Sequence, residues 1–179
     1  MTCTYNYSDE FDFNSDDDSL QIFPQFQSGE IINELETIAI DILEMILGDR
    51  FRCCPQVPLE MICSRRETFT HLPIELWKFW VSSRVDIALM ERGCGASRQA
   101  KLVIECQSHW HDRPEAQERD RKKAGLLASV GVPLVYLRQI DRDPRFYRFY
   151  TSNGQKEVFY NSITQQGRTE LEAFLQRLL

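Results

Sequence analysis

The chain has 179 residues, 42% of them apolar and 27% charged, the balance of one globular domain with a proper core. That balance excludes wholesale disorder and collagen-like repeats. A bundle of membrane spans is excluded too, because no run of about 18 uncharged apolar residues exists and the most apolar stretch, 37–47, carries Asp41 and Glu44.

The net charge of −6 hides an asymmetry. Residues 1–49 contain no Lys or Arg and 12 of the 27 acids, so 50–179 hold all 21 basic residues against 15 acids. An acidic front end therefore precedes a mildly basic body. A basic body can meet nucleic-acid phosphates, and an acidic arm would repel them or cover that face. No basic n-region and apolar core open the chain, so no secretory signal is expected and a cytoplasmic location is. Six scattered cysteines (Cys3, Cys53, Cys54, Cys63, Cys94, Cys106) are expected to be reduced thiols. Cys53, Cys54, Cys63 and His71 have zinc-ligand chemistry, but adjacent cysteines are not the usual two-residue-gap knuckle.

Residues 1–28 mix Asp, Ser, Asn, Gln and isolated aromatics without periodicity, which predicts a flexible acidic arm ahead of a domain spanning 29–179. In 30–48, Ile31, Leu35, Ile38, Ala39, Ile42 and Ile46 recur at three and four, predicting a helix stopped by Gly48. Residues 51–62 read as a strand, and Pro55 and Pro58 assign it to a sheet edge. Residues 67–80, with Trp77, Phe79 and Trp80, fit a short helix or a loop against the core. Two strands follow, 84–90 and 101–107, joined as a hairpin through the turn-prone 91–97. A helix over 114–130 capped by Gly131, a buried strand over 132–138, two aromatic strands within 145–160 and a helix over 168–179 complete the chain. The order predicts an α/β fold, a mixed sheet flanked by helices.

Alternation puts Lys101, Val103, Glu105 and Gln107 on one face of the 101–107 strand and Leu102, Ile104 and Cys106 on the other. A carboxylate inside the run KLVIEC needs a cation or a donor nearby. Asp86 interrupts RVDIALM in the same way. Two such acids on adjacent strands repel unless a proton or a divalent metal lies between them, and hard oxygen donors suit Mg²⁺ or Mn²⁺. On the following helix, Ala116, Asp120, Lys123, Leu127 and Val130 share a stripe. Its Asp and Lys form a salt bridge or snorkel past the sheet edge, or, beside displaced carboxylates, the Lys serves a phosphate or an attacking water.

Asp86, then 105–109 (ECQSH), 119–123 (RDRKK) and 131–138 (GVPLVYLR), together with 55–57 (PQV) and the first helix, resemble the domain of unknown function 2726 across about residues 30–140. That family is grouped with the restriction-endonuclease-like, PD-(D/E)XK nucleases, near the very-short-patch repair endonuclease branch. The resemblance implies a restriction-endonuclease-like sheet and metal-dependent hydrolysis of phosphodiester bonds, in DNA in preference to RNA. Asp86, Glu105 and the Cys106 carbonyl would hold the metal. Glu36 matches the family's helical Glu, with Glu34 the competing position. Val85 stands where a Pro is usual, and Gln107 replaces the Lys of the E-x-K element. Gln hydrogen-bonds water or phosphate but brings no charge; Lys123, Lys122 or Lys101 would supply it. His109 is a candidate acid–base group, while His109, His111 and Asp112 together would be a separate metal set, or an ordinary exposed loop.

Arg119 and Lys122, with Arg145 and Arg148 in the arginine–aromatic segment 138–150, are candidates to bind nucleic acid. A plain hairpin with an aromatic core face and an arginine solvent face fits that segment equally. Rival functions are a nucleic-acid-binding module that has lost catalysis and a partner-binding protein that uses its acidic arm.

Overall fold

Six strands form one mixed sheet in the order β1-β2-β3-β4-β5-β6, so every strand lies beside its sequence neighbour. The computed structural model describes residues 29–64, 72–108, 113–141 and 143–179. The acidic residues 1–28, His71, residues 109–112 and Arg142 lie outside them.

The first helix, α1 (Glu34–Leu47), begins where Asn33 can cap it. The Asn33 side chain accepts the Glu36 N–H, and the Glu36 carboxylate turns back to the Asn33 N–H, a capping box. The helix therefore starts four residues later than its apolar spacing predicts, and Ile31 is left outside it, 81% exposed. The buried face carries Ala39, Ile42, Leu43 and Leu47, with Glu36 at its head.

β1 (Phe51–Pro58) is an edge strand, as its prolines demand, and passes into the short helix α2 (Leu59–Ile62) instead of continuing as strand. Within the ambiguous aromatic stretch, α3 (Ile74–Ser82) is helical. Then β2 (Arg84–Glu91) pairs antiparallel with β1 and with β3 (Ala100–Gln107). β4 (Leu134–Gln139) runs parallel to β3, and parallel neighbours need a crossover, which α4 (Pro114–Ser129) supplies. Pro114 at the first turn starts α4, and Gly131, at φ +73°, takes the left-handed conformation that ends it. Val130 thus falls off the predicted stripe and is 42% exposed, while Ala116 and Leu127 are buried. Antiparallel β5 (Phe146–Thr151) and β6 (Glu157–Asn161) follow, and α5 (Gln165–Gln176) closes the chain.

Two apolar layers hold the sheet, and residues 31–179 form one unit. One layer joins α1 and α5 to Ile87, Leu89, Leu102, Ile104, Leu137, Tyr147 and Phe149. The other joins Leu59 and Leu127 to Val85, Ala88, Val103, Leu134 and Tyr136. Cys53 packs against the first layer, Cys54 and Cys63 with the second, so these cysteines do not converge as zinc ligands. Burial raises the Cys53 thiol to about 12 and Cys63 to about 11, keeping both protonated. No helix among the described residues is long and apolar enough to cross a membrane.

Candidate functional site

The β2–β3 ladder pairs Met90 to Ile87 with Ala100 to Ile104, and Asp86 and Glu105 are the next residues on the two strands beyond its last pair. There the acids take over the backbone's role. The Cys106 N–H donates to Asp86 Oδ2 at 2.8 Å, and the Asp86 N–H donates to Glu105 Oε1 at 3.3 Å. Each carboxylate is thus held by the partner strand.

Strict alternation also fails at this point. Val85 packs in the α4 layer although Ile87 and Leu89 pack in the α1 layer, a slip centred on Asp86. Across on β1, Gln56 lies between the pairs Pro55–Ile87 and Val57–Val85, and it has φ +53°. A left-handed non-glycine residue costs about 1–2 kcal/mol. Here it sends the Gln56 amide to Glu36, whose Oε2 accepts Gln56 Nε2 at 2.9 Å while Oε1 accepts Asn33 Nδ2 at 2.6 Å. Glu36 is buried, and burial with the neighbouring Asp86 charge raises its carboxyl above the ordinary value.

Lys123 enters from α4, its Nζ 2.5 Å from Glu105 Oε2, with both side chains almost fully buried. Burial still outweighs the ammonium and, with Asp86 adding repulsion, pushes the Glu105 carboxyl up to about 7. Burial first, and then the charges of Asp86, Glu36 and Glu105, raise the Cys106 thiol well above its usual range, which keeps it protonated; it faces the α1 layer, towards the Leu35 carbonyl.

These groups line a cleft of about 570 Å³ at one end of the sheet. Its walls include Glu36, Asp86, Glu105, Cys106, Lys123 and Asp120, with Arg84 from β2 and Arg119 from α4. Asp86, Glu105, Lys123, Glu36, Cys106 and Arg119 are thus brought together. Glu34 is exposed at the first turn of α1.

Gln107 stands apart. Its amide is engaged at both ends, Nε2 donating to Asp120 Oδ2 at 2.8 Å and Oε1 accepting the Tyr150 hydroxyl, so it acts as a strut beneath α4. Lys101 pairs with Glu91 at the opposite end of the strand. Lys122 lies on α4 with its ammonium 3.8 Å from Glu118 and 5.8 Å from the centre of the Phe79 ring. Arg145 pairs with Asp143, and Arg148 with Glu157, both at the surface. His109 lies outside the described residues.

Sequence reasoning passed over Arg84, Ser82 and Ser83 of the cleft wall and the side-chain role of Gln56. The capping box was open to reading, because Asn33 and Glu36 stand three apart before an apolar run. Nothing in the order of residues announces the inverted backbone at Gln56.

Among the described residues no three His, Cys, Asp or Glu side chains converge as a metal set. A cation here would rest on two carboxylates, a backbone carbonyl and water. That hard-oxygen set fits Mg²⁺ or Mn²⁺, which keep several waters, and does not fit zinc.

The sequence profile of the family described as "Protein of unknown function (DUF2726)" matches residues 27–146, two thirds of the chain, and the chain belongs to that family. No curated protein matches the chain. Nor does any solved structure.

Proposed function

We propose that the protein is a metal-dependent nuclease with a restriction-endonuclease-like fold, cutting phosphodiester bonds in DNA. The order helix, three antiparallel strands, crossover helix, parallel strand supports the fold. One observation carries the chemistry: just past the last paired residues of β2 and β3, Asp86 and Glu105 each accept a backbone N–H from the other strand, with the Lys123 ammonium 2.5 Å from Glu105 inside a cleft. A bound Mg²⁺ or Mn²⁺ would neutralise the scissile phosphate and lower the pKa of a coordinated water.

The chain's own residues then have separable roles. Asp86 and Glu105 supply anionic oxygens fixed by backbone N–H groups, so they need little reorganisation. Lys123 brings from the helix the charge that Gln107 cannot bring from the strand, at the place where an attacking water and a phosphate oxygen would meet. Arg84 and Arg119 offer guanidinium groups to the phosphates on either side of the cut.

Cleavage of plasmid and oligonucleotide DNA with Mg²⁺ or Mn²⁺ tests this reading. Wild type should cut, and Asp86→Ala and Glu105→Ala should each lose at least about a thousandfold, a barrier change of about 4 kcal/mol. Equal activity in both variants, or none in the wild-type protein, refutes it.

A further inference from the structure

The cross-strand rows that begin at the candidate site continue over the rest of the sheet. Glu105 is in register with Tyr136, Tyr136 with Tyr150, and Tyr150 with Glu157. The next row runs Gln107, Arg138, Arg148, Phe159. Register partners share a face, so these side chains continue the face that carries Glu105.

That face changes character as it leaves α4. Tyr136 is buried in the α4 layer, but Phe159 is 57% exposed and Phe146, on the same side of β5, 37%. Opposite faces of the same strands hold Tyr147, Phe149 and Tyr160 in the core, so the exposed aromatics are surplus to the packing of β5 and β6. The Arg148 guanidinium lies 4.6 Å from the centre of the Tyr150 ring, which lies 5.4 Å from Tyr136. Arg148 also pairs with Glu157, both about 44% exposed, an ion pair that contributes little and exchanges readily for a phosphate.

We propose that this β4–β6 face is a single-strand nucleic-acid platform: bases stack on Phe159 and Phe146, and Arg138 and Arg148 track the phosphates. Arg148, held only by a surface ion pair, offers the face a cation for phosphates, and the exposed rings of Phe159 and Phe146 serve unpaired bases, whose faces a duplex hides. The Tyr150 hydroxyl donates to Gln107, whose amide reaches Asp120 on the cleft wall. The platform thus borders the wall of the cleft that holds Asp86 and Glu105, with the buried Gln107 strut between them. The substrate of the proposed nuclease is on this account single-stranded, or the unpaired portion of a flap or overhang. The assignment of a substrate rests on the nuclease reading; the platform itself does not.

Binding is measured on Asp86→Ala protein in EDTA, where no cleavage intrudes, with short fluorescein-labelled oligothymidylate, oligouridylate and a duplex of equal length. Oligothymidylate should bind tighter than the duplex and at least as tightly as oligouridylate; a clear preference for oligouridylate overturns DNA as the substrate. Phe159→Ala, at an exposed position, should keep the parent's melting temperature and weaken single-strand binding at least about fivefold, and Phe159→Trp should restore it. Unchanged binding in Phe159→Ala, or a duplex bound as tightly as the single strand, overturns the platform. Intact binding with no cleavage by wild-type protein overturns the nuclease reading and leaves the platform standing.

Discussion

The two halves of β3 follow opposite rules. Leu102, Val103 and Ile104 are wholly buried, apolar and in register with β2, and they serve the core on both faces. Glu105 and Gln107 are also buried, yet each is polar and tied to α4, one by an ion pair and the other by a hydrogen bond. One strand thus stabilises the fold with its first half and holds costly groups with its second. Burial alone does not distinguish structure from function; the chemistry of what is buried, and the cost of keeping it there, does.

Substitutions in each half should separate these roles. Leu102→Ala removes a fully buried side chain beneath α1 and should cost about 2–5 kcal/mol in urea denaturation. Its folded fraction should still cut DNA at the wild-type rate. Lys123→Met strands the Glu105 carboxylate, and about 3 kcal/mol should be lost at pH 8. That loss should shrink as the pH falls and Glu105 takes up a proton, and cleavage should drop with it.

The pH dependence of the apo protein sharpens the contrast. Glu105 has its carboxyl raised from 4.5 to about 7, so the native state holds this proton more tightly than the unfolded chain. The contribution is fully present below pH 4.5 and is lost as the pH rises through about 7. Urea midpoints should therefore fall across that window, by the equivalent of about 1 kcal/mol or more, and Glu105→Gln should flatten the curve. The smallest effect belongs to the surface. Asp143, held down to about 2 by hydrogen bonds from the Arg145 guanidinium, is half-buried and its partner is exposed, so Asp143→Ala should shift the urea midpoint only slightly.

Much of this arrangement is legible in the sequence because it is local. Periodicity places α1, α4 and the strands, alternation puts Glu105 and Gln107 on one face, charge in apolar runs singles out Asp86 and Glu105, and charge on the sheet-facing stripe of a helix singles out Lys123. What escapes the sequence is set by long-range contact. Gln56 takes its left-handed backbone beneath a helix twenty residues away, and Gln107 becomes a strut only because Asp120 and Tyr150 come from two other elements. The end of the β1 strand at Pro58, and the loss of Ile31 from α1, turn on capping and turn geometry that apolar spacing does not encode.

The most direct measurement is anomalous scattering from crystals soaked in Mn²⁺. The account predicts one strong peak between the carboxylates of Asp86 and Glu105, absent from crystals of Asp86→Ala protein. A soaked crystal with no peak there, or with its manganese bound only elsewhere on the chain, would contradict it.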